Sequence, residues 1–209
     1  MTDDAPAPLP PTSTVGRVRS YLLANPQVLD EVVQARDAAA RADRTSGINA
    51  VVARNPEALA PAAGEPTFGP VDARVTVTEF FDYRCPYCKM AAPQYLEIMR
   101  ANPHVRFVFR EWPVLDQGED VTSQYAARAA LAAHAQGKYL AVHQALMAQS
   151  ALSVDGIDRI LEANGVDLPK ARAAMATADT SRLLAEIHTG AASMGLEGTP
   201  TFFIEAKGG

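Results

Sequence analysis

At 209 residues the chain is long enough to bury an ordinary core without disulfides, and its 48% hydrophobic and 21% charged residues are those of a globular protein. A formal net charge of -5 excludes a general affinity for phosphate, so nucleic acid is not an expected partner. No stretch is apolar for the length of a membrane span, and the opening MTDDAPAPLPPTS is acidic where a secretory signal is basic and then apolar, which leaves a cytoplasmic protein or one whose signal has been removed.

Residues 1–13 hold Pro6, Pro8, Pro10 and Pro11 and little to bury, and are expected to form a disordered arm. Val15, Val18, Leu22, Leu29 and Val32 then recur at helical intervals. Asn25 before Pro26 suits an N-cap and a first helical position, so two helices are expected near 14–24 and 26–44, with Gly47 ending the second. This segment, 14–46, precedes a Pro- and Ala-rich stretch, NPEALAPAAGEPTFGP, read as a linker over 47–70. Its apolar face is covered either by the main domain or by another copy of the chain. Few apolar partners lie nearby in sequence, and self-association is the reading carried forward.

The main domain is expected over 71–209. RVTVTEFFDY, 74–83, is β-branched and aromatic and reads as a strand. CPYCKMAAPQYLEIMRAN follows as a helix with Pro86 one position inside its start and a kink expected at Pro93. HVRFVFREW, 104–112, reads as a second strand, parallel to the first because a helical crossover joins them. From about 121 to 196 the chain is rich in Ala and Leu with Gly punctuation, an all-helical insert, and TPTFFIEAK returns to strand composition.

Cys85 and Cys88 are the only cysteines, too close together to staple distant parts of a fold, and they read as a local reactive pair. One C-x-x-C is half of a four-cysteine zinc site, and His104, His134, His143 and His188 are scattered, so neither metal nor organic cofactor is expected. A thiol attacks as thiolate, and a helix N-terminus favours that form, which assigns Cys85 as nucleophile and Cys88, one turn deeper, as resolving thiol. The bland alternative is an inert pair or half a metal site. Strand alternation places Glu79 with Val75, Val77 and Phe81, so its carboxyl should be buried, protonated more readily than usual, and able to exchange a proton with Cys88. A glutamate facing water or paired to Lys or Arg is the alternative. Thr199-Pro200 before FFI is either a loop stop or a cis bond that brings distant backbone to the site.

FFDYRCPYCK with Glu79 six positions before Cys85, the helical insertion and GTPTFFI resemble the DsbA-like branch of the thioredoxin superfamily. YLLANPQVLDEVVQA is similar to the helical extension of the suppressor of copper sensitivity protein C group, periplasmic disulfide oxidoreductases and isomerases. The resemblance implies an α/β, thioredoxin-like fold with a helical insertion and an N-terminal helical extension. It implies that Pro200 is cis and faces the cysteines, that Thr199 lends backbone hydrogen bonds to a bound substrate, and that Pro86 and Tyr87 tune the reduction potential. It further implies periplasmic location, a membrane redox partner that resets the dithiol, and a homo-oligomer assembled through the N-terminal helices. Members of that family continue past the FFI strand with a further strand and helix, whereas this sequence stops at EAKGG, so those elements are expected to be missing.

The expected activity is thiol:disulfide exchange on cysteine-containing protein substrates. Isomerase or reductase is favoured by the self-associating segment, and a dithiol oxidase is the nearest rival. From other classes come an oligomeric, chaperone-like binding module with vestigial cysteines and, more weakly, a glutathione-linked transferase.

Overall fold

The structure, a computed structural model, describes residues 13–207, so the arm expected over 1–13 lies, apart from Ser13, outside the described residues. Two compact units divide the chain, residues 1–51 and 52–209.

In the first unit, α1 (Thr14–Ala24) starts at Ser13, whose hydroxyl accepts the Gly16 amide at 2.9 Å. Asn25 does not open the following helix as expected. Its side-chain amide donates to the Tyr21 carbonyl at 2.9 Å and closes α1 instead. The second helix, α2 (Gln27–Arg54), also runs past Gly47. A glycine ends a helix when it turns to positive φ, which Gly47 does not. At an exposed helical position it costs only about 1 kcal/mol against alanine. Val15, Val18, Tyr21, Leu29 and Val32 are all exposed.

The second unit is built on a four-stranded sheet: β1 (Thr67–Phe68), β2 (Val75–Phe81), β3 (Arg106–Glu111) and β4 (Thr201–Ala206), ordered β1-β3-β2-β4. β2 and β3 are parallel and joined by α3 (Pro86–Ala101), which continues through Pro93, while β4 runs antiparallel to β2. The register sets Glu79 between Phe109 and Phe202, and Phe81 beside Glu111. Between β3 and β4 lies the helical insert: α4 (Thr122–His134), α5 (Tyr139–Met147), α6 (Val154–Ala163), α7 (Leu168–Met175) and α8 (Ala178–Ser193). Buried alanines along α4, among them Ala126, Ala129, Ala130 and Ala133, let neighbouring elements approach closely.

One sheet face carries Phe81, Phe107 and Phe109 into a core shared with α3 and the insert. The other carries Phe80 against Trp112 and Phe203 in edge-to-face contacts, with the Arg110 guanidinium 5.1 Å over the Phe80 ring. Much of the stretch expected as linker belongs to this fold. After α2 come a 3-10 turn (Pro56–Leu59), a buried Leu59, and a buried Glu65 paired at 3.1 Å with Arg110 of β3. Strand β1 then pairs with β3. Pro and Ala composition suggested a flexible tether, but two apolar anchors, Leu59 and Phe68, and one acid tie the segment down.

Candidate active site

The parallel strand β2 ends in a four-residue turn that delivers Cys85 to the start of α3. The Cys85 amide closes the turn on the Asp82 carbonyl at 3.0 Å, and Cys85 itself is the N-cap, in extended conformation. Pro86 occupies the first helical turn, where a missing N–H costs nothing, so the remaining unpaired N–H groups of the helix start surround the cap. Cys85 is only 4% exposed. Its sulfur donates to the carbonyl of Thr199 at 3.2 Å, and the Thr199-Pro200 bond is cis. Thus residues from both ends of the second unit meet at one sulfur. Pro86 and Tyr87 are exposed beside it, while Thr199 and Pro200 are half-buried.

Cys88 lies one turn into α3 and is fully buried, on the same face as Ala92, Tyr95 and Leu96. Burial pushes its thiol well above the ordinary range, and both thiols are free. Glu79 sits on a central strand and is buried, with no Lys or Arg partner. Neither carboxylate oxygen has a hydrogen-bond partner, and desolvation raises its pKa to about 8. The field of Glu79 reaches Tyr95 on the inner face of α3, whose phenol is likewise buried and without a partner. Glu79 and Cys88 therefore both belong to the interior between sheet and α3, without a direct bond between them.

Sequence reasoning missed the residues that hold the turn. Asp82 is buried and accepts four bonds: from the Arg84 amide (2.7 Å) and Ser123 hydroxyl (2.9 Å) at Oδ1, and from the Val114 (2.8 Å) and Leu115 (3.0 Å) amides at Oδ2. Arg84 reaches the carboxylates of Asp116 at 3.2 Å and Asp120 at 2.7 Å. Behind them, Glu111 is buried on β3 and its Oε1 accepts the phenols of Tyr83 (3.0 Å) and Tyr139 (2.8 Å). The Tyr83 oxygen is also 3.0 Å from His143 Nδ1. With Tyr83 donating to Glu111, that nitrogen carries the proton and donates to Tyr83. Burial holds the Glu111 carboxyl well above and His143 well below their usual ranges. The alternation that singled out Glu79 applies equally to Glu111, which follows Phe107 and Phe109 on the same face.

Residues 76–209, well over half of the chain, match the DSBA-like thioredoxin domain, and residues 15–40 match the copper resistance protein ScsC N-terminal domain. A thioredoxin-like oxidoreductase from Silicibacter pomeroyi is 40% identical, over 72% of this chain and 86% of that one, with a TM-score of 0.66. ScsC from Proteus mirabilis, in a transitional conformation, is 26% identical over 90% of this chain and 83% of that one, with a TM-score of 0.63. The Na(+)/H(+) antiporter NhaA 1 of Salinispora arenicola is 35% identical over 140 residues, 66% of this chain. The chain spans about a fifth of the length of the curated relatives it matches (21%). Among its described residues no helix is long and apolar enough to cross a membrane.

Proposed function

The chain belongs to the DSBA-like thioredoxin domain family, and from that premise we propose that it exchanges thiols and disulfides with protein substrates through Cys85 and Cys88. The observation that carries the reading is the seat of Cys85: a helix N-cap with its sulfur 3.2 Å from the Thr199 carbonyl and a second, buried thiol one turn below.

In the oxidising direction a substrate thiolate attacks Cys85 of the disulfide, and Cys88 leaves and takes up a proton. A second substrate thiolate then breaks the mixed disulfide, so the substrate loses two electrons and the pair gains them. In the reducing direction the Cys85 thiolate attacks a substrate disulfide, and Cys88, once deprotonated, attacks Cys85 and releases the substrate thiol. Glu79 supplies or takes the Cys88 proton, since a carboxyl with a pKa of about 8 changes protonation state at working pH. Thr199 offers backbone to the substrate chain, and Pro86 and Tyr87 bear on the potential. The chemistry suits a disulfide-permissive compartment such as the periplasm, with a membrane redox partner resetting the pair.

Isomerase or reductase action is the direction put first. Val18 and Leu29, both 53% exposed, and Val32, 60% exposed, give α1 and α2 an apolar surface suited to self-association. The test combines glutathione equilibration of the pair with refolding of a scrambled disulfide protein. Exchange with shuffling supports isomerase action. Exchange without shuffling indicates an oxidase, and a pair that never cycles leaves a binding module.

A further inference from the structure

The turn that presents Cys85 is held from behind at one atom. Oε1 of Glu111, on β3, accepts Tyr83 of the turn and Tyr139 of α5, and His143, also of α5, reaches the same Tyr83 oxygen. The strand, the cysteine turn and the helical insert therefore converge on Glu111. All four side chains are buried, and the rings of Phe81 and Phe109 stand edge-on to His143 at 5.1 Å, excluding other partners.

We propose that Glu111 is a positioning residue for dithiol–disulfide exchange: through Tyr83 it fixes the turn that sets the Cys85 sulfur against the Thr199 carbonyl. This rests on the thiol–disulfide reading above. Tyr83 precedes Cys85 by two residues, and ring packing alone defines the plane of a tyrosine better than its position along the ring axis. The phenol bonds supply that missing restraint. The Cys85–Thr199 contact is made by a thiol and cannot be made by a disulfide, so the restraint favours the reduced form.

The equilibrium that reads this is the Cys85–Cys88 disulfide plus two glutathione thiols against the dithiol plus glutathione disulfide. Tyr83→Phe keeps the ring and removes both bonds, and is expected to shift the equilibrium toward the protein disulfide by about threefold or more. Glu111→Asp draws the acceptor back by a methylene and shifts it the same way, carrying the test if Tyr83→Phe does not fold. Glu111→Gln, whose amide oxygen accepts both phenols, stays within about twofold of wild type. Tyr125→Phe removes a phenol–carboxylate bond of 2.7 Å from Tyr125 of α4 to Asp158 of α6, outside the cysteine turn. It serves as the control for loss of such a bond and leaves the equilibrium unchanged. A Tyr83→Phe equilibrium equal to wild type, or a Tyr125→Phe shift as large as that of Tyr83→Phe, overturns the role of Glu111 alone. A wild-type pair that does not exchange with glutathione overturns the thiol–disulfide reading as well.

Discussion

The sulfur of Cys85 stands 3.2 Å from the carbonyl oxygen of Thr199, across 114 positions of sequence. The contact sets the outer thiol beside the bend that carries the cis Thr199-Pro200 bond, while Cys88 beneath it is sealed from solvent. On the proposed reading, Cys85 is the sulfur that an incoming chain meets first.

That asymmetry gives the first expected outcome. Cys88→Ser should accumulate a mixed disulfide between Cys85 and substrate, whereas Cys85→Ser should form none and lose exchange by about 100-fold or more. Non-reducing electrophoresis with intact-mass measurement separates the two. Equal trapping by both variants would refute the assignment of roles.

The second concerns Glu79. Its carboxyl is neutral at pH 7 and ionises around pH 8, so Cys88-dependent release of a mixed disulfide should accelerate as pH rises through 8. Glu79→Gln should remove that limb and slow release by roughly 10- to 100-fold, as followed by stopped-flow on the mixed disulfide at a series of pH values. The same group acts on stability. Folded Glu79 keeps its proton to about pH 8 while the unfolded chain ionises near the ordinary 4.5. Stability is therefore fully present below 4.5 and is lost as pH climbs to 8, by on the order of 4 kcal/mol. Urea unfolding of Glu79→Gln should lack this loss.

His143 has the opposite sign. Its folded pKa falls from the ordinary 6.5 to about 3, so the unfolded chain takes up a proton first as pH drops. Stability should be intact above 6.5 and decline between 6.5 and 3. His143→Gln should flatten that acid arm, at a cost near neutral pH of about 1 kcal/mol for the altered bond to Tyr83. Urea midpoints from pH 3 to 7 measure it, and an unchanged acid arm would count against a neutral buried imidazole.

The elements that carry the chemistry were legible because their signals are local. The alternation in β2, the proline just inside α3 and the Gly punctuation of the insert each depend on a few neighbouring residues. Glu79 was found by its place in an apolar alternation, and Glu111 was passed over under the same rule because no cysteine stood beside it in sequence. The partners of Glu111, Tyr83 and Tyr139, are 28 positions away on either side, and no pattern along the chain pairs them. Asp82 likewise reads in sequence only as the tail of the β2 strand, since three of its four donors, Val114, Leu115 and Ser123, come from elsewhere in the fold. Gly47 was misread because glycine stops a helix only where the following chain turns away.

Arg110 gives the last expected outcome. Its guanidinium is buried on β3, paired with Glu65 at 3.1 Å and donating to the carbonyls of Ala58 and Ala60, each at 2.8 Å. Glu65 in turn accepts the Ala62 amide at 2.9 Å. Burial outweighs the attraction of Arg110 and raises the Glu65 pKa, so the charged form of the acid depends on its partner. Arg110→Met would strand the acid without its partner and free two carbonyls, for an expected loss of about 3–5 kcal/mol. Limited proteolysis should then cut within residues 56–66, a segment expected to resist cleavage in the wild type. Adding Glu65→Leu should recover part of the stability, because an apolar pair needs no counter-charge, but not the protection of residues 58–60, whose carbonyls still lack their donor. A single variant as stable as wild type, with residues 56–66 still protected, would mean that Leu59 and β1 alone hold this segment to the sheet.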